Sequence, residues 1–166
     1  MEFTRLLPLT RLGSEPSRRH VVADDAERAA LARRLDLVSL DRLEADIELV
    51  REHGGTILLS GAFEAEFVQE CVATLEPVAG SVSERFQLRY GPPAAEDDVP
   101  SGDDDPAFEP LLADTIDIGE AVAQEFSLAL PPFPRAPDAA IEQGAAEEPG
   151  VGPFAPLAGL RRGEPR

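Results

Sequence analysis

The stretch Thr56-Ile57-Leu58-Leu59-Ser60-Gly61-Ala62-Phe63-Glu64-Ala65-Glu66-Phe67 decides the fold. Ile57, Leu59, Gly61, Phe63, Ala65 and Phe67 fall on one parity, with Thr56, Leu58, Ser60, Ala62, Glu64 and Glu66 on the other. Side chains on a strand point alternately to its two faces, so this rhythm predicts a strand with one buried and one wetter face. The strand is expected to run to Cys71, and alternation resumes at Val82, Phe86, Leu88 and Tyr90, with Glu84 on the inward parity. Pro77 and Gly80 predict a bend between the two, because proline fixes φ and glycine relieves steric limits. Upstream, Leu43, Ala45, Ile47 and Leu49 alternate with Glu44, Asp46 and Glu48. Arg51-Glu52-His53-Gly54-Gly55 then closes a hairpin, its glycines free to take positive φ.

Strands at Leu37–Val50, Thr56–Cys71 and Val82–Tyr90 make a small antiparallel, meander-like sheet, with Phe3–Leu9 expected as an edge strand. Arg11–Val22 reads as loop on the strength of Gly13, Ser14, Pro16 and Ser17. Two helices are predicted. Asp24–Leu35 opens on a capping box, Asp24 with Glu27, and places Leu31 and Leu35 on one face. Ile118–Leu130 opens on Asp117 with Glu120, aligns Ile118, Val122 and Phe126, and is stopped by Pro131-Pro132. Helices covering the apolar face of a sheet complete one core, so the fold class is α+β. The expected organisation is a single domain over 1–135, interrupted by an acidic disordered loop over 91–110. A linker and tail follow over 136–166.

At 166 residues the chain suits one domain with a real core. Its net charge of −17 is unevenly placed: residues 1–90 carry 16 acidic and 11 basic side chains, residues 91–130 carry 11 acidic and none basic. Such a balance argues against bulk attraction to DNA or RNA, which requires Lys or Arg to displace phosphate counterions. High charge with few apolar residues cannot offset ordering entropy, hence the disordered reading of 91–110. Asp103-Asp104-Asp105 lacks the alternating ligands and closing glutamate of a calcium loop. One cysteine excludes an internal disulfide framework, and two histidines do not make a metal cluster. Neither a membrane-length apolar run nor an export signal is read in the sequence, which makes the cytoplasm the expected location. The carboxylates Glu44, Glu64 and Glu66 are focused on no nucleophile, so they read as a water-facing side and not as acid/base machinery. Arg42, Arg51, Arg85 and Arg89 are the residues that could form a local RNA-contact patch on the sheet. At the far end, Phe154, Leu157 and Leu160 give Pro153–Arg162 an apolar-basic character, which reads equally as a segment that docks on the core or a partner and as a frayed terminus.

Several stretches occur together in order: Met1-Glu2-Phe3-Thr4-Arg5, Gly61–Phe67, Gln69-Glu70-Cys71-Val72-Ala73-Thr74-Leu75-Glu76-Pro77-Val78, an acidic insert, Thr115-Ile116-Asp117-Ile118-Gly119-Glu120, Leu128–Pro131 and Pro153-Phe154-Ala155. The combination resembles the YceD family of large ribosomal RNA subunit accumulation proteins, in its alphaproteobacterial branch. The family-motif positions are Cys71, Leu75, Pro77, Asp117 and Pro131. The resemblance implies a non-enzymatic ribosome-biogenesis factor supporting synthesis, processing or stability of large-subunit (23S) ribosomal RNA. Its implied partners are a large-subunit RNA precursor, a ribosomal protein, or both. An acidic adaptor or chaperone for a basic ribosomal protein is the alternative. Many relatives carry Cys-x-x-Cys at this place and a second cysteine-rich stretch after the last helix. Here Thr74 stands for the second cysteine and Pro134–Pro137 has none, so no zinc or other cofactor is expected. Cys71 reads as a buried structural thiol.

Overall fold

A computed structural model of the chain describes residues 2–93 and 105–139. The strands are β1 (Leu6–Pro8), β2 (Ser17–Val22), β3 (Ser39–Arg51), β4 (Ile57–Glu70), β5 (Pro77–Gly91), β6 (Ala107–Pro110) and β7 (Thr115–Asp117). The helices are α1 (Asp25–Arg34) and α2 (Ile118–Ala129). Five strands form one sheet in the order β2-β3-β4-β5-β6, while β1 and β7 pair separately. The main sheet is antiparallel from β2 to β5, and β6 joins it in parallel. The architecture is α+β.

The inward parity of β4 is the one read from the sequence: Ile57, Leu59, Phe63, Ala65 and Phe67 are buried. A register shift between Leu40 and Arg42 turns both Leu40 and Leu43 inward, the usual effect of one extra residue in a strand. On α2, Ile118, Ala121, Val122 and Phe126 are buried, the spacing of one helical face. Phe126 meets Phe63 and Phe67 at centroid distances of 6.2 Å and 5.7 Å, both edge-on, so α2 seats on β4 through its largest side chain.

The ends of the helices are tied to the N-terminal residues. Asp24 and Glu27 form the expected capping box on α1, and Glu27 also accepts both terminal nitrogens of the Arg5 side chain. That guanidinium holds the Glu27 carboxyl below the usual carboxylate range. Asp117 caps α2 by accepting the amides of Gly119 and Glu120, and the same oxygen accepts the Arg5 amide. Phe3 is buried where it crosses α2, and a Cβ on Gly119 would lie 2.4 Å from the Phe3 carbonyl oxygen.

Several expectations need correction. Ser17–Val22 is an edge strand, not loop: Val21 is the one buried residue of the run, so the alternation that marks a strand is almost absent. The N-terminal strand is shorter than Phe3–Leu9 and pairs with β7, outside the main sheet. Glu120 does not complete a capping box; it binds Arg34 of α1 at 2.7 Å instead. The bend between β4 and β5 lies over residues 71–76, closed by Leu75 N to Cys71 O and Cys71 N to Glu76 O bonds. Pro77 and Gly80 belong to β5, and Leu75 takes the positive φ, 61°. Within the expected acidic loop, Gly91 ends β5 and Ala107–Pro110 is strand β6; residues 94–104 lie outside the described residues. The expected tail over 136–166 begins with an ordered contact, since the Ala136 amide donates to Cys71 Sγ. From residue 140 onward, including Phe154, Leu157 and Leu160, it lies outside the described residues.

Candidate functional site

Strand alternation puts the core on one face of the sheet and leaves the even-numbered residues of β4, and those of β3 from Arg42 onward, on the other. Arg42, Glu44, Asp46 and Glu48 of β3 stand beside Ala62, Glu64 and Glu66 of β4, with Ser83, Arg85 and Gln87 of β5 next to them. Ala62, Glu64, Glu66 and Arg85 are exposed, and among the described residues no helix packs over them. Small side chains at Ser60 and Ala62 create a depression. Part of it, of about 500 Å³, is lined on the open face by Glu44, Asp46, Ala62, Glu64, Ser83 and Arg85. A second hollow of about 500 Å³ opens from it toward Arg18 and His20 on β2.

Glu44 lies directly opposite Glu64, a repulsive pairing if left alone. Arg42 bridges them at 2.5 Å and 3.1 Å and reaches Glu66 at 3.6 Å. Three carboxylates thus share one guanidinium, which lowers the pKa of Glu44 and keeps it ionised. Arg18 pairs with Glu48, and Asp46, with a side chain 83% exposed, meets His20 at 2.9 Å.

The four arginines singled out from the sequence are not equivalent. Arg42, Arg85 and Arg89 stand on the open face. Arg42 is occupied by its glutamates, and Arg89 is half sunk and bonded to Glu52 at 2.8 Å. Arg85 has no carboxylate within ion-pair distance among the described residues. Arg51 is apart from them: it reaches back to the carbonyls of Leu9 and Leu12 and ties down the N-terminal segment. The basic run Arg18-Arg19-His20, which in a loop reads first as exposed surface and only second as an anion or RNA contact, instead lies on β2, where Arg18 and His20 face Glu48 and Asp46. Glu84 stands on the inward parity, opposite Phe63, and is nevertheless exposed.

The family-motif positions cluster elsewhere. Cys71 and Leu75 lie in the β4–β5 turn, and Pro77 is the first residue of β5. The segment after α2 lies across that turn, with Val72 N donating to Pro134 O and the Gln69 side chain to Pro131 O. Asp117 is at the opposite end of α2. Cys71 is fully buried, and its thiol is brought down to about 7 by hydrogen bonds from the Thr74 side chain, then the Ala136 and Ala73 amides.

A family profile described as large ribosomal RNA subunit accumulation protein YceD matches residues 59–160. The chain belongs to the YceD family. No curated protein and no solved structure matches it. The match starts inside β4 and takes in the cysteine turn, α2 and the segment that crosses the turn. The zinc implied by cysteine-rich YceD relatives does not fit the residues present here. Cys71 is the chain's one cysteine, Thr74 and a backbone amide surround its sulfur, and no group of three or more His, Cys, Asp or Glu suited to a metal occurs among the described residues. Among those residues, too, no helix is long and apolar enough to cross a membrane.

Proposed function

We propose that this YceD-family protein is a non-enzymatic ribosome-biogenesis factor, acting in the cytoplasm on a large-subunit precursor. In this reading it supports the synthesis, processing or stability of large-subunit (23S) ribosomal RNA. The family match is the observation that carries it. The open sheet face supports contact with a macromolecule, being broad and free of any covering helix among the described residues. Its most prominent carboxylates share Arg42 and stand at an open surface, an arrangement that holds them charged and suits recognition better than proton transfer. A second reading, an adaptor for a basic ribosomal protein, is favoured by the same ion pairs. They leave Arg85 as the face's cation least engaged, where direct RNA binding needs several.

Depletion of the protein, followed by measurement of the ratio of large to small ribosomal RNA, tests the reading. The ratio is expected to fall and to recover on re-expression. An unchanged ratio with normal subunit profiles refutes it.

A further inference from the structure

We infer that the junction between the β4–β5 turn and the segment after α2 is the docking site for this chain's own C-terminal stretch, Pro153–Arg162. The inference does not depend on the ribosomal reading.

Three large apolar side chains stand in water around that junction: Val72 at 49%, Leu75 at 68% and Phe133 at 76% exposure. Backbone bonds bring them to one place. The Val72 amide donates to the carbonyl of Pro134, next to Phe133. The Leu75 amide donates to the carbonyl of Cys71, whose sulfur accepts from the Ala136 amide. A single exposed leucine is ordinary, but three apolar side chains around one junction mark an interaction surface. Leu75 also holds a φ of 61°, a conformation that glycine or asparagine adopts at less cost. Within the described residues nothing offsets that cost, since the side chain is turned to solvent.

Extent, charge and reach select the occupant. The match to the YceD profile does not stop where the chain leaves the turn; it runs on to residue 160, through Phe154, Leu157 and Leu160. A chain end is ordered when it packs on the body, and a stretch inside the family pattern fits that case better than a frayed end. Glu70 and Glu76 flank the turn, both exposed and without an ion pair among the described residues. Arg161 and Arg162 are the first basic residues after Arg135, so the apolar triplet ends in the charge that complements this rim. The Ala139 amide turns the chain back to Ala136, beside the cysteine. Phe154 follows Ala139 by about 15 residues, a span of up to about 50 Å at full extension, so a return to the turn needs no tension. The tether makes docking intramolecular, which favours even a small apolar contact. Phe154, Leu157 and Leu160 recur at every third position, a spacing that gathers them on one side of a helix or of a polyproline segment. A second copy is a poorer occupant, because two chains of net charge −17 repel each other.

The chain has no tryptophan, so F154W in the full chain places a single reporter in the segment. Acrylamide quenching of its emission is measured for F154W alone and combined with V72S/L75N/F133S. With the tether keeping the docked form populated, quenching is expected to be about threefold weaker in F154W than in the combination. V22S/L112S removes exposed apolar side chains elsewhere and should leave the quenching of F154W unchanged. R161E/R162E spares the apolar contacts and should raise it about twofold. Circular dichroism and thermal melting verify the fold of each variant. Should V72S/L75N/F133S lose it, R161E/R162E decides the matter, because its changes lie outside the folded body. Equal quenching with and without V72S/L75N/F133S overturns the inference, as does an equal rise with V22S/L112S or no rise with R161E/R162E. A ring that becomes accessible on dilution would make a second copy the occupant, and a ring accessible in every variant at every concentration would leave the junction to a different protein; both overturn it.

Discussion

Replacing Asp117 by Ala removes one oxygen that serves three backbone amides at once: Arg5 at 2.8 Å, Gly119 at 3.1 Å and Glu120 at 3.2 Å. Loss of the helix cap alone costs about 1 kcal/mol. The Arg5 amide, part-buried and bonded to a carboxylate, adds about 1–2 kcal/mol when orphaned. One acceptor serves all three donors, so the contributions are not independent, and the expected total is about 2–3 kcal/mol. For a body of this size that corresponds to a fall in Tm of about 8–12 °C. Urea unfolding gives the free energy, and amide hydrogen exchange gives the location: protection should drop at Arg5, Gly119 and Glu120 and along β1–β7, while β3–β4 amides are unchanged. D117N keeps an oxygen in place and should recover about half of the loss. A D117A variant within about 0.5 kcal/mol of the parent would refute the claim that this side chain joins the N-terminal strand to α2.

Four further outcomes follow from the same geometry. G119A improves helix propensity by about 1 kcal/mol, yet its methyl group would strike the Phe3 carbonyl, so thermal melting should show a net loss of about 1–3 kcal/mol. F126A empties the contact with Phe63 and Phe67 and should cost about 3–5 kcal/mol in urea unfolding. Burial, then the nearby Glu109 carboxylate, raises the pKa of Glu125; its contribution is therefore full in acid and lost as pH rises through that raised value. E125Q should stabilise the protein at about pH 7 and make little difference at about pH 4, as read from urea midpoints. The depressed Cys71 pKa works the other way: stability is gained as pH rises from about 7 toward the ordinary thiol range, and C71A should flatten that rise.

The sequence made the two long central strands legible because β4 obeys a strict two-residue rhythm and its neighbours repeat it. The helices were legible from Asp24 and Asp117, which cap them, and from the spacing of Leu31, Val122 and Phe126. β2 was not, since an edge strand with one buried residue has no apolar alternation to display. β6 and β7, at four and three residues, are too short for any period to emerge, and the parallel pairing of β6 depends on a crossover. The site suffered for the same reason. Arg42, Arg85 and Arg89 could be placed on one face from parity alone, but their ion pairs follow from cross-strand register, which parity does not supply. Glu120 completes a capping-box pattern locally, and Arg34, 86 residues away in the chain, takes it.

Each strand from β2 to β5 pairs with the strand that follows it in the chain. Contacts between sequence neighbours close small loops, so this meander can zip up hairpin by hairpin as the polypeptide leaves the ribosome. The seat for α2 is then formed well before α2 has been synthesised, because the whole acidic insert must be made first. During that interval the rings of Phe63 and Phe67 are bare to water. A nascent chain stalled inside the insert would display β2 to β5 with an uncovered greasy floor and an unpaired β5 edge, the species most prone to clump.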